Sequence, residues 1–291
     1  MQTLRTLAPA KLNLTLEVLG RREDGYHEIV SIVQTVGLHD TLTFEPDDDI
    51  TLECDRPELV SPNNLAFKAA HLLKENANFD RGAHITIRKK IPLAAGLGGG
   101  SSDAAATLKG LNRLWETELS ANELVTLAEG IGSDVPFFLH GGTALVQGRG
   151  ERIRPLPPVK LMWMVILSPP IYLTNKTASL YAGLSASRYT RGNLTRKLAA
   201  RIGGGSNVPP QFLFNVFDEI AFQAFPPLET YWDAFYSLGA REIHVAGSGP
   251  SLFSPVARKE QGTALKLMLV QRHGWEAHLV SSWQPPKDEA T

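Results

Sequence analysis

The sequence predicts an α+β fold in two domains, residues 1–155 and 156–291, and three observations carry that reading. The chain has 291 residues, a length at which one hydrophobic core gives way to two. Its first half mixes apolar patterns of period two with patterns of period 3.6. Between the halves lies Arg154-Pro155-Leu156-Pro157-Pro158, which stiffens the chain and ends regular structure, as a hinge would.

The elements follow in order. In Lys11–Val18, the apolar residues Leu12, Leu14, Leu16 and Val18 alternate with polar ones, which predicts a strand with Lys11 and Asn13 as neighbours on its polar face. Asp47-Asp48-Asp49 reads as a solvated turn, because carboxylates adjacent in a run seldom converge on a metal. Cys54 follows Leu52 and Glu53 in an apparent strand and is expected to be a small packing residue. Ser61-Pro62 predicts a helix start, with Leu65, Ala69, Leu72 and Leu73 as the apolar stripe. Ile85 and Ile87 mark a strand that feeds a glycine run, after which Ala104, Leu108, Leu111 and Trp115 recur at helical spacing. Ser120-Ala121-Asn122-Glu123 is a capping box with Leu119 and Leu124 as its staple, and that helix should stop near Gly130-Ile131-Gly132. Past the prolines, Leu161–Leu167 reads as a buried strand. Gly203-Gly204-Gly205-Ser206 reads as a connection, since Pro209-Pro210 prevents an immediate helix. Val245–Ser251 reads as strand, tight turn and strand, and the tail from Gln284 as frayed.

Composition limits the function. Lys and Arg number 29 against 30 Asp and Glu, so no basic excess exists to track a nucleic acid or an anionic membrane. A lone cysteine forms no internal disulfide, and Met1-Gln2-Thr3-Leu4-Arg5 reads as neither signal peptide nor membrane span, so a cytoplasmic protein is expected. Its oligomeric state is open between monomer and homodimer.

The chemistry concentrates in Pro92-Leu93-Ala94-Ala95-Gly96-Leu97-Gly98-Gly99-Gly100-Ser101-Ser102. Four glycines in five positions turn backbone N–H groups to one side, and the helix that follows adds free donors and its positive dipole end. That is a phosphate cradle. A plain turn before a helix capped by Ser101 or Ser102 would give Leu97 no purpose between glycines. A Walker loop needs Lys-Ser/Thr directly after the last glycine, and a dinucleotide fingerprint needs a third glycine where Ser101 stands.

The run resembles the glycine-rich loop of the GHMP kinases, whose pattern is Pro-x-x-x-Gly-Leu-Gly-Ser-Ser-Ala, lengthened here by Gly99 and Gly100. Blocks in that family's order support the resemblance: Pro9-Ala10-Lys11-Leu12-Asn13-Leu14, Arg21–His27, Gly132–Phe138 and Ala246–Phe253. The lengthened loop is similar to the branch that acts on a diphosphocytidyl methylerythritol acceptor. Region 168–207 matches less clearly.

The resemblance implies an N-terminal mixed sheet with the glycine loop at a helix start and a C-terminal ferredoxin-like domain. It implies ATP and Mg²⁺, with transfer to the 2-hydroxyl of that small-molecule acceptor. Residues 92–102 would hold the β- and γ-phosphates, with Asn64 and Lys90 on the adenosine side. Asp134 would act as base with Lys11 as its partner. Asp134 stands at a sharp entry into an apolar segment, where a carboxylate is costly unless partnered; read alone, it is equally a helix cap and Lys11 a snorkelling residue. Asn13, Tyr26 and His27 would bind the cytosine, with Tyr189 closing its other side, although a His after Gly-Tyr also suits a plain turn. Gly247, Ser248 and Gly249 would donate to the acceptor's phosphates, since Pro250 has no N–H. Asp103 is either close to a bridging Mg²⁺ or a helix-dipole partner turned to solvent, and no residue is assigned as a metal ligand. A family member acting on homoserine or mevalonate would lack the Gly99-Gly100 extension and the Gly25-Tyr26-His27 block, and a non-catalytic nucleotide-binding regulator would tolerate loss of Asp134.

Overall fold

The computed structural model describes residues 3–173 and 175–285. The chain runs β1 (Leu4–Arg21), β2 (His27–Asp47), β3 (Ile50–Cys54), α1 (Leu65–Asn76), β4 (Gly82–Arg88), α2 (Gly99–Leu114), α3 (Ala121–Ile131), α4 (Val135–His140), β5 (Thr143–Gly148) and β6 (Arg152–Pro155). It continues through β7 (Trp163–Ser168), α5 (Lys176–Gly183), α6 (Asn193–Gly203), β8 (Phe214–Asn215), α7 (Ala221–Ala224), α8 (Leu228–Ser237), β9 (His244–Val245), β10 (Leu252–Val256), α9 (Lys259–His273) and β11 (Glu276–Ser281).

Two sheets organise these elements. The first is mixed, in the order β3-β4-β2-β1-β8, with β5 on the early part of β2 and β6 beyond it. Its parallel contacts are β3 with β4 and β1 with β8; the long β1–β2 pair is antiparallel. The second sheet is antiparallel, in the order β11-β7-β10-β9. Counted along the chain its strands stand 4-1-3-2, with helical segments after the first and third, which is the connectivity of a split βαβ unit.

One core, with Phe44, Ile85, Leu108 and Phe137, packs α1 to α4 on the first sheet. A second, with Leu12, Leu14, Ile32, Met164, Ile166 and Phe253, joins the two sheets, and Leu97 of the glycine loop belongs to it. A third, with Val165, Phe217, Phe235 and Leu265, lies on the far side of the second sheet. Later segments return to the first sheet: β8 pairs with β1, Thr195 N donates to Glu17 Oε2 at 2.7 Å, and Trp283 donates its N–H to Thr35 O at 2.9 Å.

Several elements sit where the patterns place them. Ser120 and Glu123 form the capping box, α3 ends at Gly132, and Cys54 is buried at the end of β3. Asp47-Asp48-Asp49 is exposed, and Gly203–Gly205 closes α6 in a turn. Four expectations need correction. Helix α1 is capped by Asn64, whose side chain accepts from Ala66 N at 2.9 Å, because Ser61 O takes Asn64 N at 3.0 Å and spends three residues on a turn first. Its buried stripe is Ala66, Ala69, Ala70 and Leu73, with Leu65 and Leu72 only half-buried. Strand β7 begins at Trp163, opposite Val256 and Ser281, where its antiparallel partners β10 and β11 end, so Leu161 stays outside it and is 67% exposed. In the tail, Gln284 Nε2 donates to Thr143 Oγ1 at 3.2 Å rather than fraying, and residues 286–291 lie outside the described residues.

Candidate active site

Strand β4 and its continuation aim the glycine loop into the junction of the two sheets. Gly96 and Gly98 have φ of +84° and +75°, and Gly98 occupies the cap position of α2. A Cβ on Gly96 would lie 2.0 Å from Ala246 O, and one on Gly98 2.7 Å from Phe138 Cζ, so close packing as well as backbone conformation requires glycine at both positions. Lys11 N donates to Leu97 O at 2.9 Å and Ser251 N to Ala95 O at 3.2 Å, which ties β1 and the 246–251 turn to the loop. Ser102 N is committed to Gly98 O at 2.9 Å, so the unpaired donors of the first turn are those of Gly99, Gly100 and Ser101. Ser102 is buried with its hydroxyl unpartnered and faces away from the cavity that Ser101 lines.

That cavity, of about 1130 Å³, opens between the sheets. Lys11, Asn13, Ser101, Asp134, Tyr26, His27, Tyr189, Gly247 and Ser248 all line it, so residues far apart in sequence converge there. Lys11 Nζ lies 3.6 Å from Asp134 Oδ2 and donates to Asn13 Oδ1 at 2.8 Å, while Asn13 Nδ2 donates to Ser31 Oγ at 2.8 Å. The exposures reverse the expected cost: Lys11 is the buried member, with its side chain 8% exposed, and Asp134 is 49% exposed. Asp134 stands at the cap position of α4 without making a capping bond, so its carboxylate is free to serve the cavity.

At the opposite end the His27 ring stacks on Tyr181, centroids 4.8 Å apart, and its Nε2 lies 3.3 Å from Tyr189 Oη. Burial, helped by Arg21, holds His27 below the usual histidine range, so the ring is neutral at pH 7. Tyr26 is exposed beneath the Arg149 guanidinium, 4.8 Å from its ring centroid. Tyr181, Arg149 and Lys176 line this cavity without having been singled out in the sequence; for Tyr181 and Lys176 the only signal was a Lys-Thr-x-x-x-Tyr run in the weakly matching region. Burial raises the Tyr181 hydroxyl, and Asp134 adds to it.

Asn64 and Lys90 do not line the cavity. Asn64 caps α1, although its neighbour Leu65 is the side chain facing Gly100. Lys90 donates its N–H to Asp40 Oδ1 and leaves its ammonium in solvent.

Asp103 meets neither expectation made for it. It points inward, 3% exposed, and accepts from Lys89 Nζ at 2.6 Å; the same ammonium donates to Asp40 Oδ2 at 2.5 Å. Asp40 Oδ1 accepts in turn from Lys90 N and Ile91 N, which fixes the chain as it leaves β4. Burial works against the charge of Lys89, but two carboxylates outweigh it and its pKa is raised. Burial, with Asp40 nearby, pushes Asp103 up to about 7 against the pull of Lys89. Among the described residues no three His, Cys, Asp or Glu side chains cluster as metal ligands.

A turn-bounded cradle at a helix start, facing a lysine–carboxylate pair across an open cavity, is the site of a phosphoryl-transfer enzyme. The GHMP kinases N terminal domain matches residues 64–142. A crystal structure of L. major mevalonate kinase in complex with R-mevalonate shares the fold at 15% identity, with TM-score 0.72 over 97% of both chains. The 4-diphosphocytidyl-2-C-methyl-D-erythritol kinase of Dehalococcoides mccartyi is 44% identical over 283 residues, 97% of this chain and 99% of the relative. That of Shouchella clausii is 41% identical over 87% of this chain and 86% of the relative. A solved 4-(cytidine 5'-diphospho)-2C-methyl-D-erythritol kinase superposes with TM-score 0.81 at 33% identity, over 96% of this chain and 98% of that one. The chain belongs to this family of kinases, the ATP-dependent phosphotransferases of the GHMP class.

Proposed function

We propose that the chain transfers the γ-phosphoryl group of ATP to the 2-hydroxyl of 4-diphosphocytidyl-2-C-methyl-D-erythritol, in the cytoplasm, on the non-mevalonate route to isoprenoid precursors. The observation that carries this reading is the Lys11–Asp134 pair at 3.6 Å, set in one cavity between the free N–H donors of α2 and the His27–Tyr181–Tyr189 corner.

The backbone of 96–101 cradles the β- and γ-phosphates, with Pro92–Ala95 shaping the approach to it. Asn64 and Lys90 are assigned to the adenosine side by the resemblance alone; the Asn64 side chain caps α1. Mg²⁺ bound with the nucleotide would neutralise phosphate charge, and Asp134, the carboxylate lining this cavity among the described residues, would be the residue available to hold it. Asp134 accepts the proton of the 2-hydroxyl as that oxygen attacks the γ-phosphorus, and the bond to the β–γ bridging oxygen breaks to release ADP. Lys11, held by Asn13 and 3.6 Å from Asp134, draws charge from the transferring group. The neutral His27 offers cytosine one ring nitrogen as acceptor or donor, and Tyr26 and Tyr189 offer aromatic faces. Gly247 and Ser248 face the acceptor's diphosphate; Gly249, expected to join them, does not line the cavity and spends its N–H on Ala246 O at 2.8 Å. In this reading 1–155 carries the phosphate cradle, the base and one wall of the acceptor site with Asn13, Tyr26 and His27, and 156–291 supplies the other wall with Tyr181, Tyr189, Gly247 and Ser248.

The test is an assay with ATP and Mg²⁺ against cytidylated and plain polyol acceptors. Phosphorylation of the cytidylated methylerythritol alone is expected. Equal turnover of acceptors without cytidine would overturn the substrate assignment.

A further inference from the structure

Lys176 opens α5 and reaches from the C-terminal half of the chain into the cavity. Its ammonium donates to two backbone carbonyls, that of Ala94 in the glycine loop and that of Gly249 in the late turn. Beside it, Thr177 and Ser248 share a hydrogen bond of 2.9 Å. The first turn of α5 thus laces together the two loops that flank the phosphate cradle.

Two carbonyls satisfy hydrogen bonds but do not neutralise a charge. Among the described residues, the cavity is lined by four cations, Lys11, Arg21, Arg149 and Lys176, and by one carboxylate, Asp134, which is already paired with Lys11. A half-buried cation without a counter-ion disfavours a fold unless something arrives to match it. Lys89 shows the alternative within the same molecule, a buried ammonium between two carboxylates with its pKa raised. Burial, and then the charge of Lys11, lower Lys176 to about 8. What this corner lacks is an anion, and the substrates are polyanions.

We propose that Lys176 is a phosphate-binding residue of the reaction: it exchanges the carbonyls of Ala94 and Gly249 for phosphate oxygens of the bound substrates and shares with Lys11 the charge of the group in transfer. The proposal rests on the reading of the cavity as a phosphoryl-transfer site, which turnover by the unmodified chain tests separately. The phosphates can be those of ATP or the diphosphate of the acceptor, and the experiment separates them.

The experiment is Lys176→Met, with kcat and both KM values measured across pH. Calorimetric titrations use the β,γ-imido analogue of ATP in one arm and cytidine diphosphate in the other. A loss in kcat/KM of about 10²-fold is expected, the size found when one donor to a developing oxyanion is removed. The titration that weakens identifies which phosphates Lys176 holds. The melting temperature without ligand should hold or rise slightly, because a half-buried charge without a counter-ion is gone.

In the unmodified enzyme kcat/KM should fall as pH rises above about 8, where Lys176 loses its proton, and the variant should lack that fall. Lys11, Asp134, His27, Tyr181, Arg21 and Arg149 face the same cavity, so disappearance of the fall in the variant is what assigns it to Lys176. Kinetics and both titrations within twofold of the unmodified chain would overturn the proposal, as would an alkaline fall that persists in the variant. If the Met variant does not fold, Lys176→Arg carries the test: its charge does not titrate, so kcat/KM should stay flat through pH 8, and a fall there would overturn the proposal.

Discussion

Two sets of lysines flank the glycine loop, and the protein holds them in opposite ways. Behind the loop, Lys89 sits between Asp40 and Asp103, with side chains 3%, 0% and 4% exposed. In front, Lys11 shares one half-exposed carboxylate with the cavity and Lys176 has only carbonyls. The rear cluster is matched within the protein and holds backbone: Asp40 takes the N–H groups of Lys90 and Ile91 where the loop begins. The front is left short of negative charge, and that deficit is what a polyphosphate supplies. Similar residues thus do different work according to whether the counter-ion comes from the chain or from the substrate. Mutations behind the loop should act on stability, and those in front on turnover.

The sharpest test of the front is Asp134→Asn. Removal of a positioned base costs about 10²- to 10⁴-fold in turnover, roughly 3 to 5 kcal/mol of barrier. Asp134 is half exposed and makes no capping bond, so the melting temperature should barely move. Steady-state kinetics beside thermal denaturation reads both, and near-normal turnover would remove Asp134 from the mechanism.

Behind the loop the expectation is the converse. Lys89→Met leaves two buried carboxylates facing each other, and breaking a buried pair in this way costs about 3–5 kcal/mol. Denaturant unfolding measures it, and a loss below 1 kcal/mol would break the comparison. A pH slope accompanies the cluster. Asp103 titrates at about 7 in the folded protein against an ordinary value of 3.8, so between these limits the folded state holds more proton than the unfolded one. Stability contributed by this group therefore falls as pH rises from about 4 to 7, and Asp103→Asn should flatten that part of the slope.

The front was legible in the sequence except for Lys176 and the back was not, for a physical reason. Lys11 and Asn13 are two apart on a strand, so a period-two pattern puts them side by side. The glycine loop is a contiguous run whose conformational demand is written in residue type, and Asp134 lies within one short block. Lys89 lies 49 residues from Asp40 and 14 from Asp103, and the three meet only because β2 pairs with β4 and α2 packs on β2. No local spacing marks such a cluster, so Asp103 was read only from its position after the loop. Lys176 and Tyr181 fall where no motif was clear, and their roles come from the turn they pack against. The misplaced start of α1 is of the same kind: Ser61-Pro62 and Asn64 are both reasonable caps, and a turn chooses between them.

The acceptor end sharpens the comparison at smaller scale. His27 stacks on Tyr181 and lies beside Tyr189 Oη, so His27→Ala removes a ring from the proposed cytosine corner without touching the cradle. A lost stacking contact is worth about 1–3 kcal/mol, roughly 5- to 150-fold in acceptor affinity. KM for the acceptor should rise by that factor while KM for ATP holds. Equal rises in both would mean that the ring merely supports the Asp24-Gly25-Tyr26-His27 turn.

The smallest expected effect separates stability from binding within the loop itself. Gly96→Ala or Gly98→Val would confound the two, because added atoms there strike Ala246 O or Phe138. Gly100 is free of both problems. It is helical, and a Cβ there would meet only Leu65 Cδ1, at 3.7 Å. Alanine in place of a helical glycine stabilises by about 0.5–1 kcal/mol, so Gly100→Ala should unfold at slightly higher temperature. If the N–H groups of Gly99, Gly100 and Ser101 close directly on phosphate, the new methyl narrows that approach and the affinity for ATP should fall severalfold in a calorimetric titration. A variant both more stable and weaker in nucleotide binding would locate the phosphate at this turn; unchanged affinity would move it away from Gly100, toward Gly96 and Gly98.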